Sequence, residues 1–185
     1  MSVWFTSDLH FRHGLVAGHR GFATTDDHDA AVAENWRRVV RADDQVWVLG
    51  DLALCHPEHP LRIIADLPGR KHLIVGNHDP AHPMHRDSHK WQRHYYPIFE
   101  SVQAFARRKV AGQTVLLSHF PYAKDRHEAR YMQYRLRDEG EWLIHGHTHG
   151  PEVREGREIH VGLDAWDLSP VHISMIEKLM RETDD

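Results

Sequence analysis

The sequence predicts a layered α/β fold, built as a single domain over residues 1–185, and two observations support this prediction. In the first half of the chain, short apolar segments end in polar residues and are followed by segments with helical periodicity. In the second half, turn residues separate neighbouring apolar segments, which is typical of antiparallel hairpins. A chain of 185 residues is long enough for one domain with a sizeable hydrophobic core.

Three strands and two helices are predicted in the first half. The strands cover the apolar runs Val3 to Ser7, Gln45 to Leu49 and Lys71 to Val75. The longer helix is predicted from Thr24 to Arg41, with Thr25 as its N-cap because a hydroxyl oxygen accepts hydrogen bonds from exposed N–H groups. Its buried side is predicted to hold Ala30, Ala31, Ala33, Trp36, Val39 and Val40. The shorter helix covers Pro60 to Leu67 and ends at Pro68-Gly69.

The second half is predicted to consist mainly of hairpins. Its strands are Ser101 to Lys109, Thr114 to Ser118, Trp142 to Ile144, Glu152 to Arg154, Glu158 to Val161 and Val171 to Ile176. The turns Ala111-Gly112-Gln113 and Glu155-Gly156-Arg157 join two pairs of these strands. Polar stretches at 80–97 and 121–140 interrupt the pattern, and we expect loops or short helices there, over the mouth of a site.

Composition and charge exclude several classes of protein. The formal net charge of −4 provides no basic field for a stable complex with nucleic acid, although bound dications would still admit a nucleotide substrate. Cys55 is the single cysteine, so we expect no intramolecular disulfide, a small core residue and a reducing compartment. No apolar run has the length of a membrane span, and Asp8 places a charge too early for a signal peptide. We therefore expect a cytoplasmic protein without membrane contact, whose oligomeric state the sequence does not determine.

Polar residues follow five of the predicted strands, and their types are those of metal ligands. They are Asp8, His10, Asp51, Asn77, His119, His147 and His149, with His78 and Asp79 directly after Asn77. Because strand ends converge on one rim of a layered α/β fold, residues far apart in sequence meet there. The first two ligands are two residues apart, as are the last two. In extended backbone this spacing directs both side chains of a pair to one side, so each pair could hold one centre.

The ligand types limit the choice of metal. Imidazole nitrogens, carboxylate oxygens and one carboxamide, without a thiolate, suit Mn²⁺, Fe²⁺, Co²⁺, Ni²⁺ or Zn²⁺ and disfavour a structural zinc site. Seven ligands are too many for one ion in a simple cage, and a carboxylate such as Asp51 can bridge two ions about 3.5–4 Å apart. Taken singly, each motif also fits an ordinary turn at a strand end. It is their combination that predicts a dinuclear site.

Together these motifs resemble the signature of the calcineurin-like metallophosphoesterases. The matching blocks, in order, are Asp8-x-His10, Gly50-Asp51, Gly76-Asn77-His78-Asp79, His119 and Gly146-His147-x-His149. The similarity spans Val3 to about Asp164, nearly the whole chain. The segments Trp4 to His13 and Val161 to Trp166 further resemble small bacterial and phage phosphoesterases of this superfamily. The resemblance implies a four-layer α-β-β-α sandwich with two central mixed β-sheets.

The resemblance also implies a role for each matched residue. The first of two divalent cations would be bound by Asp8, His10 and His149, and the second by Asn77, His119 and His147. Asp51 would bridge the two cations, which we expect to be Mn²⁺, with Fe, Zn, Ni or Co as alternatives. A water activated by the cations would attack phosphorus. His78 would contact the substrate phosphate and protonate the leaving oxygen, while Asp79 would orient His78 and keep it cationic.

The function implied by the resemblance is that of a metal-dependent phosphoric ester hydrolase. We expect a phosphodiesterase rather than a monoesterase, because the poor alkoxide leaving group of a diester needs the proton that His78 can donate. The substrate would be small and nucleotide-like, and the resemblance favours a 2′,3′-cyclic nucleotide. The main alternative is a non-catalytic scaffold that retains the fold, and a third interpretation is storage of metal on surface histidines.

For several other residues, the sequence is compatible with two different roles. His13 either contacts the substrate or caps a turn. The basic residues of one loop either bind a second phosphate or are solvated surface charges: Lys124, Arg126, His127 and Arg130. Three tyrosines either stack on a nucleobase or pack in the core: Tyr95, Tyr96 and Tyr122. His160 and His172 are interpreted as structural, and His145 is excluded from the site because strand alternation places it on the opposite side.

Overall fold

Ten strands form two sheets in the structure, a computed structural model that describes residues 1–54, 58–122 and 130–182. In chain order the strands are β1 (Val3–Thr6), β2 (Gln45–Val48), β3 (Arg70–Ile74), β4 (Phe99–Gln103), β5 (Phe105–Val110), β6 (Gln113–Ser118), β7 (Trp142–His145), β8 (Arg154–Glu155), β9 (Glu158–His160) and β10 (Val171–His172). The five α-helices within these ranges are α1 (Gly14–His19), α2 (Thr25–Val39), α3 (Glu58–Ala65), α4 (Ser88–Tyr95) and α5 (Ile173–Arg181).

Each sheet has five strands and combines parallel with antiparallel pairing. The first sheet has the order β10-β1-β2-β3-β4, in which β1 to β4 run parallel and β10 pairs antiparallel with β1. The second has the order β5-β6-β7-β9-β8, in which β6, β7 and β9 run parallel and both edge strands pair antiparallel. The predicted α/β fold class with two central mixed sheets is confirmed.

Two hydrophobic cores lie on the two faces of the first sheet. On β2, Val46 and Val48 belong to the core that contains residues of α2 and α3. Trp47 and Leu49 belong to the core shared with the second sheet and with α5. Successive side chains of a strand point to opposite faces, so β2 is apolar on both sides, as expected for a buried parallel strand. Because both faces of β2 are covered, only the polar residues that follow the strand are available to form a site.

Helix α2 begins one residue later than its predicted start, and its predicted buried side is confirmed for Ala33, Trp36 and Val40 but not for Ala30. Thr24, not Thr25, is the N-cap, and its side chain accepts a hydrogen bond from the Asp27 N–H (3.1 Å). The buried residues are His28, Asp29, Val32, Ala33 and Trp36, whereas Ala30 is exposed. At about 100° per residue, Ala30 falls well outside the arc occupied by Val32 and Trp36, so its apolar character did not imply burial.

The predicted strand from Ser101 to Lys109 is two strands in different sheets. Ala104 forms a bend between β4, which pairs with β3, and β5, which pairs with β6. No glycine or proline marks this bend, so the local sequence carried no signal for it. The predicted hairpin that follows is confirmed, with Ala111 and Gly112 at φ +48° and +79° as expected for a two-residue turn. The hairpin of β8 and β9 is also confirmed, with β8 displaced toward Glu155.

The last predicted strand, Val171 to Ile176, is wrong beyond its first two residues. Only Val171 and His172 pair with β1, and α5 begins at Ile173. The His172 side chain accepts a hydrogen bond from the Ser174 N–H (3.2 Å) and caps this helix. Burial of Ile176, Leu179 and Met180 follows the i, i+3, i+4 spacing of one helical face, which outweighs the β-branched start of the segment.

The polar stretches contain short helices, as predicted. Helix α4 lies within 80–97, and a 3₁₀ turn, Met132–Tyr134, lies within 121–140. The predictions for Cys55, Lys124, Arg126 and His127 fall outside the described residues. Within the described ranges, none of the helices combines the length and the hydrophobicity needed to cross a bilayer.

The segments that follow the strands are joined to one another by backbone hydrogen bonds. After β1 and β2, the Asp8 N–H donates to the Gly50 carbonyl (3.0 Å). After β6 and β7, the Gly146 N–H donates to the His119 carbonyl (3.0 Å). Ser7 pairs with Gly162 in a parallel bridge, which connects the end of β1 with the segment after β9. The carboxyl ends of strands from both sheets therefore form one continuous rim.

Candidate metal centre

Two groups of side chains that could hold a metal ion lie on this rim. In each group, the ligand atoms lie within 4.8 Å of one another. The first group is Asp8, His10 and His149, and the second is Asp51, His119 and His147. Asn77, the seventh predicted ligand, lies beside the second group, with Oδ1 3.1 Å from His119 Nε2. The structure thus brings together all seven residues from five separate places in the chain.

The first group has the donor geometry that a cation requires. His10 Nε2 and His149 Nε2 lie 3.1 Å apart, and both are within 4 Å of Asp8 Oδ1, at 3.9 and 3.7 Å. Asp8 Oδ1 is buried and has no hydrogen-bond partner among the described residues. A buried carboxylate oxygen without a donor is rare, since its desolvation is then uncompensated. A cation held between these three atoms would supply the missing partner.

In the second group, atoms that accept hydrogen bonds face one another. The His119 Nδ1–H donates to the Leu49 carbonyl (2.7 Å), because that oxygen can only accept. His119 Nε2 then directs its lone pair at Asp51 Oδ2 (3.4 Å) and Asn77 Oδ1 (3.1 Å). Burial lowers the pKa of His119, but the negative charge of Asp51 outweighs it and raises the pKa to about 9. The site therefore calls for positive charge, which a proton or a metal cation can supply.

Asp51 lies between the two groups. Its Oδ2 is 3.4 Å from His119 Nε2 in the second group and 3.9 Å from His10 Nε2 in the first. Its Oδ1 accepts a hydrogen bond from the His78 N–H (2.9 Å), which fixes the orientation of the carboxylate. A carboxylate with contacts on both sides is the arrangement expected of a ligand shared by two ions.

Five of the seven predicted ligands have left-handed backbone. The φ angles of Asp8, His10, Asp51, His147 and His149 lie between +49° and +72°. Such conformations are unfavourable for residues with a Cβ and concentrate at functional sites. They also overturn the argument from extended backbone, because His147 and His149 point into different groups instead of sharing one. The division implied by the family resemblance matches the observed one.

Gly50 is one of the glycines at which the backbone of this rim is tightly packed, and Gly50→Ala is expected to destabilise the fold. Gly50 has φ +89°, and a Cβ there would meet the backbone of Gly76 and lie 2.7 Å from His119 Nδ1. The left-handed conformation costs about 1–2 kcal/mol for an L-residue, and overpacking adds about 1–3 kcal/mol. Urea unfolding should therefore show a loss of about 2–5 kcal/mol in the free energy of unfolding.

The matched control is Gly112→Ala in the hairpin turn. Gly112 has a similar φ of +79°, but nothing lies within 4 Å of the position that a Cβ would take. In Gly112→Ala, the free energy of unfolding should fall only by the about 1–2 kcal/mol that the left-handed conformation costs. Equal losses in the two variants would contradict the steric argument for Gly50.

His78 extends from the rim toward solvent. Its side chain is 38% exposed, and its Nε2 lies 3.8 Å from Asp51 Oδ2. The ring centroid is 5.9 Å from that of His10. Burial lowers the pKa of His78, while the negative charge of Asp51 raises it in part. His78 is thus the imidazole beside both groups that a substrate can reach without displacing a ligand.

The interpretation that Asp79 orients His78 is wrong. The Asp79 carboxylate is 1% exposed and accepts hydrogen bonds from the backbone N–H groups of Gly76, Asp51 and Leu52, at 2.7 to 3.1 Å. Burial and the charge of Asp51 raise the pKa of Asp79 to about 7, against these three donors. Asp79 therefore ties the loop after β3 to the turn after β2. It supports the left-handed backbone of Asp51 and does not orient His78.

The residues with two interpretations are partly decided by their surroundings. His13 caps α1, since its Nδ1 accepts the Val16 N–H (3.0 Å), and its ring stays 5.5 Å from that of His10. Tyr95 is 1% exposed and packs in the first core, which excludes it from stacking on a substrate. Tyr96 is exposed and Tyr122 is half-buried. His145 packs against His160 and belongs to neither ligand group, as predicted.

Comparison with known proteins decides the family. Residues 1–163 match the calcineurin-like phosphoesterase superfamily domain. This chain belongs to the calcineurin-like phosphoesterase superfamily. The Gene 66 protein of Mycobacterium phage L5 is 48% identical over 181 residues, covering 89% of this chain and 87% of the phage protein. The Gene 66 protein of Mycobacterium phage D29 is 47% identical over 184 residues, covering 92% of each chain.

A solved structure has a similar fold. The protein of unknown function AQ665 from Aquifex aeolicus superposes with a TM-score of 0.73 at 27% identity, over 96% of this chain and 98% of that one. Members of the calcineurin-like phosphoesterase superfamily are phosphoesterases that use divalent metals, and both ligand groups lie within the matched residues. The nitrogen and oxygen donors of this superfamily member fit such ions.

Two residues that contact the candidate ligands were missed by the sequence analysis. Asp164 accepts a hydrogen bond from His149 Nδ1–H (2.8 Å), and Arg20 forms two hydrogen bonds with Asp164 (2.8 Å each). Asp164 lies in the segment Val161 to Trp166, which carries part of the family resemblance. Arg20 has no such signal, because its partners are distant in sequence.

Proposed function

We propose that this protein is a dinuclear metal-dependent phosphoesterase that hydrolyses phosphodiesters of small, nucleotide-like compounds. One observation carries the proposal: two groups of nitrogen and oxygen ligands share the Asp51 carboxylate, and an accessible His78 imidazole lies beside them. Two-metal sites of this kind suit the hydrolysis of phosphate esters. The charge of −4 argues against a stable complex with nucleic acid, in favour of a small substrate.

The residues present fit two divalent cations, with Mn²⁺ as the proposed metal. Asp8, His10 and His149 would hold one cation and Asn77, His119 and His147 the other, with Asp51 between them. Mixed nitrogen and oxygen donors without thiolate equally admit Fe, Zn, Ni or Co. When bound, the cations supply Lewis-acid charge that activates water and stabilises the negative charge developing on the phosphoryl oxygens.

Residues of the chain position the substrate phosphate and the proton donor. His78 donates its side-chain proton to the leaving oxygen, which a diester with a poor leaving group requires. The His78 N–H holds Asp51 Oδ1 (2.9 Å), so the proton donor and the shared carboxylate keep a constant spacing. His85 Nε2–H donates to the Asn77 carbonyl (2.9 Å) and restrains the loop that carries both Asn77 and His78. A phosphate that faces Asp51 is thereby placed beside the His78 imidazole.

Preference for diesters, a 2′,3′-cyclic nucleotide as substrate and a cytoplasmic location are further parts of the proposal. His13, beside His10 at the rim, is proposed to contact the substrate through the ring edge that does not cap α1. The alternative, a scaffold without catalysis, is disfavoured by the accessible His78, since a scaffold has no need of a proton donor.

The test is hydrolysis by purified protein that has been stripped of metal and resupplied with Mn²⁺. We expect bis-p-nitrophenyl phosphate and 2′,3′-cyclic nucleotides to be hydrolysed faster than p-nitrophenyl phosphate, and each rate to vanish in a chelator. Hydrolysis of the monoester alone would remove the diester proposal. Hydrolysis of none of these compounds with any of the five metals would favour the scaffold.

A further inference from the structure

Arg20 is a buried cation beside the first ligand group, and all five of its N–H donors have acceptors. Its side chain is 4% exposed. Nε and one terminal nitrogen donate to the two oxygens of Asp164, at 2.8 Å each. The remaining three donors reach the Asp8 carbonyl (2.8 Å), the Leu9 carbonyl (3.3 Å) and His28 Nε2 (3.0 Å). A guanidinium carries five N–H groups in a rigid plane, so this pocket accommodates its whole donor set.

These contacts connect both sides of the first ligand group. Through Asp164, Arg20 is linked to His149, whose Nδ1–H donates to Asp164 (2.8 Å) and whose Nε2 faces His10 Nε2 (3.1 Å). Through the Asp8 and Leu9 carbonyls, it holds the left-handed turn that carries the other two ligands. One side chain therefore joins the turn after β1 to Asp164, which lies 144 residues after Arg20 in the sequence.

The direction of the hydrogen bonds fixes the histidine tautomers. Because Arg20 can only donate, His28 Nε2 must accept, so His28 Nδ1–H donates to Asp29 (2.9 Å). Asp29 in turn accepts the Arg12 N–H (3.1 and 3.2 Å) at the far end of the same left-handed turn. On the other side, Asp164 accepts from His149 Nδ1–H and leaves the lone pair of His149 Nε2 for a metal.

We propose that Arg20, acting through Asp164, is the positioning residue of the first metal site. It sets the spacing between His149 and the Asp8 to His10 turn and keeps His149 in the tautomer that binds metal. Lysine offers three donors on one atom and cannot hold Asp164 and both carbonyls in this plane. In the second group, the His119 tautomer is fixed by a different partner, the Leu49 carbonyl. The inference rests on the metal-binding part of the proposed function.

The test is titration of metal-free protein with Mn²⁺, in which the free ion is counted by electron paramagnetic resonance. Wild type should bind two equivalents. Arg20→Lys and Asp164→Asn should each weaken one equivalent by roughly 10–100-fold, the usual effect of losing a partner of a ligating histidine, and leave the other unchanged. The matched control is Arg70→Lys, because Arg70 also forms a two-point ion pair, with Glu100, but is exposed at the opposite end of β3.

Binding of both equivalents with wild-type affinity in Asp164→Asn would overturn the proposal. So would a parallel loss of both equivalents in a variant whose thermal unfolding midpoint is that of wild type. Asp164 is 19% exposed and asparagine has its shape, so this variant tests the proposal even if Arg20→Lys does not fold. Selective loss of one equivalent in a protein that hydrolyses nothing would sustain this inference while refuting the proposed phosphodiesterase.

Discussion

Asp51→Asn is expected to reduce kcat/KM for bis-p-nitrophenyl phosphate by roughly 10³-fold or more, because removal of charge shared by two cations forfeits several kcal/mol of transition-state stabilisation. Asparagine keeps the oxygen that accepts the His78 N–H, so the loop geometry is preserved while the negative charge is lost. The same variant should bind Mn²⁺ more weakly at both sites, since Asp51 Oδ2 lies within 4 Å of ligands in each group, at 3.4 and 3.9 Å. Initial rates and Mn²⁺ titration measure the two effects.

The control for charge alone is Asp66→Asn. Asp66 is an exposed aspartate at the end of α3 and is not a member of either ligand group. Its replacement removes one negative charge from the protein and should leave the rate and both affinities unchanged. If Asp51→Asn stayed within tenfold of wild type, Asp51 would not be a shared ligand, and the dinuclear proposal would fail.

The positions of the ligands were predictable because each follows a buried strand. Gln45 to Leu49 is apolar on both faces, so the change to Gly50-Asp51 marks where the chain leaves the sheet. Parallel strands bring such ends to one rim, which explains why a residue list made from sequence coincides with two compact groups in space. The family resemblance also predicted which of these residues belong to which ligand group.

The backbone conformation and the supporting contacts were not predictable from spacing. His147 and His149 lie in different groups whereas Asp8 and His10 share one, although all four adopt positive φ, and neither the residue types nor the spacing indicates this conformation. Asp79 was placed beside His78 by sequence proximity, yet it bonds Asp51 and Leu52, which lie 28 and 27 residues away. Arg20 depends on contacts across 144 residues. Polar support of this kind satisfies long-range donors and acceptors, and no periodic pattern encodes it.

His78→Gln is expected to separate proton donation from metal binding. His78 is 38% exposed and belongs to neither ligand group, so the variant should fold and retain two Mn²⁺ equivalents. For a diester with an alkoxide leaving group, kcat should fall by about 10²–10⁴-fold, the range for loss of a general acid. For bis-p-nitrophenyl phosphate the loss should be much smaller, because p-nitrophenolate leaves as a stable anion without a proton.

The comparison of leaving groups is what makes this experiment decisive. His89→Gln is the control, since His89 is an exposed histidine on α4 outside both ligand groups. An equal loss with both leaving groups would mean that His78 binds phosphate or stabilises charge and does not donate a proton. An unchanged rate with the alkyl diester would remove His78 from the mechanism altogether. The predicted pattern, a loss that grows as the leaving group becomes more basic, arises only if the imidazole beside Asp51 delivers its proton in the transition state.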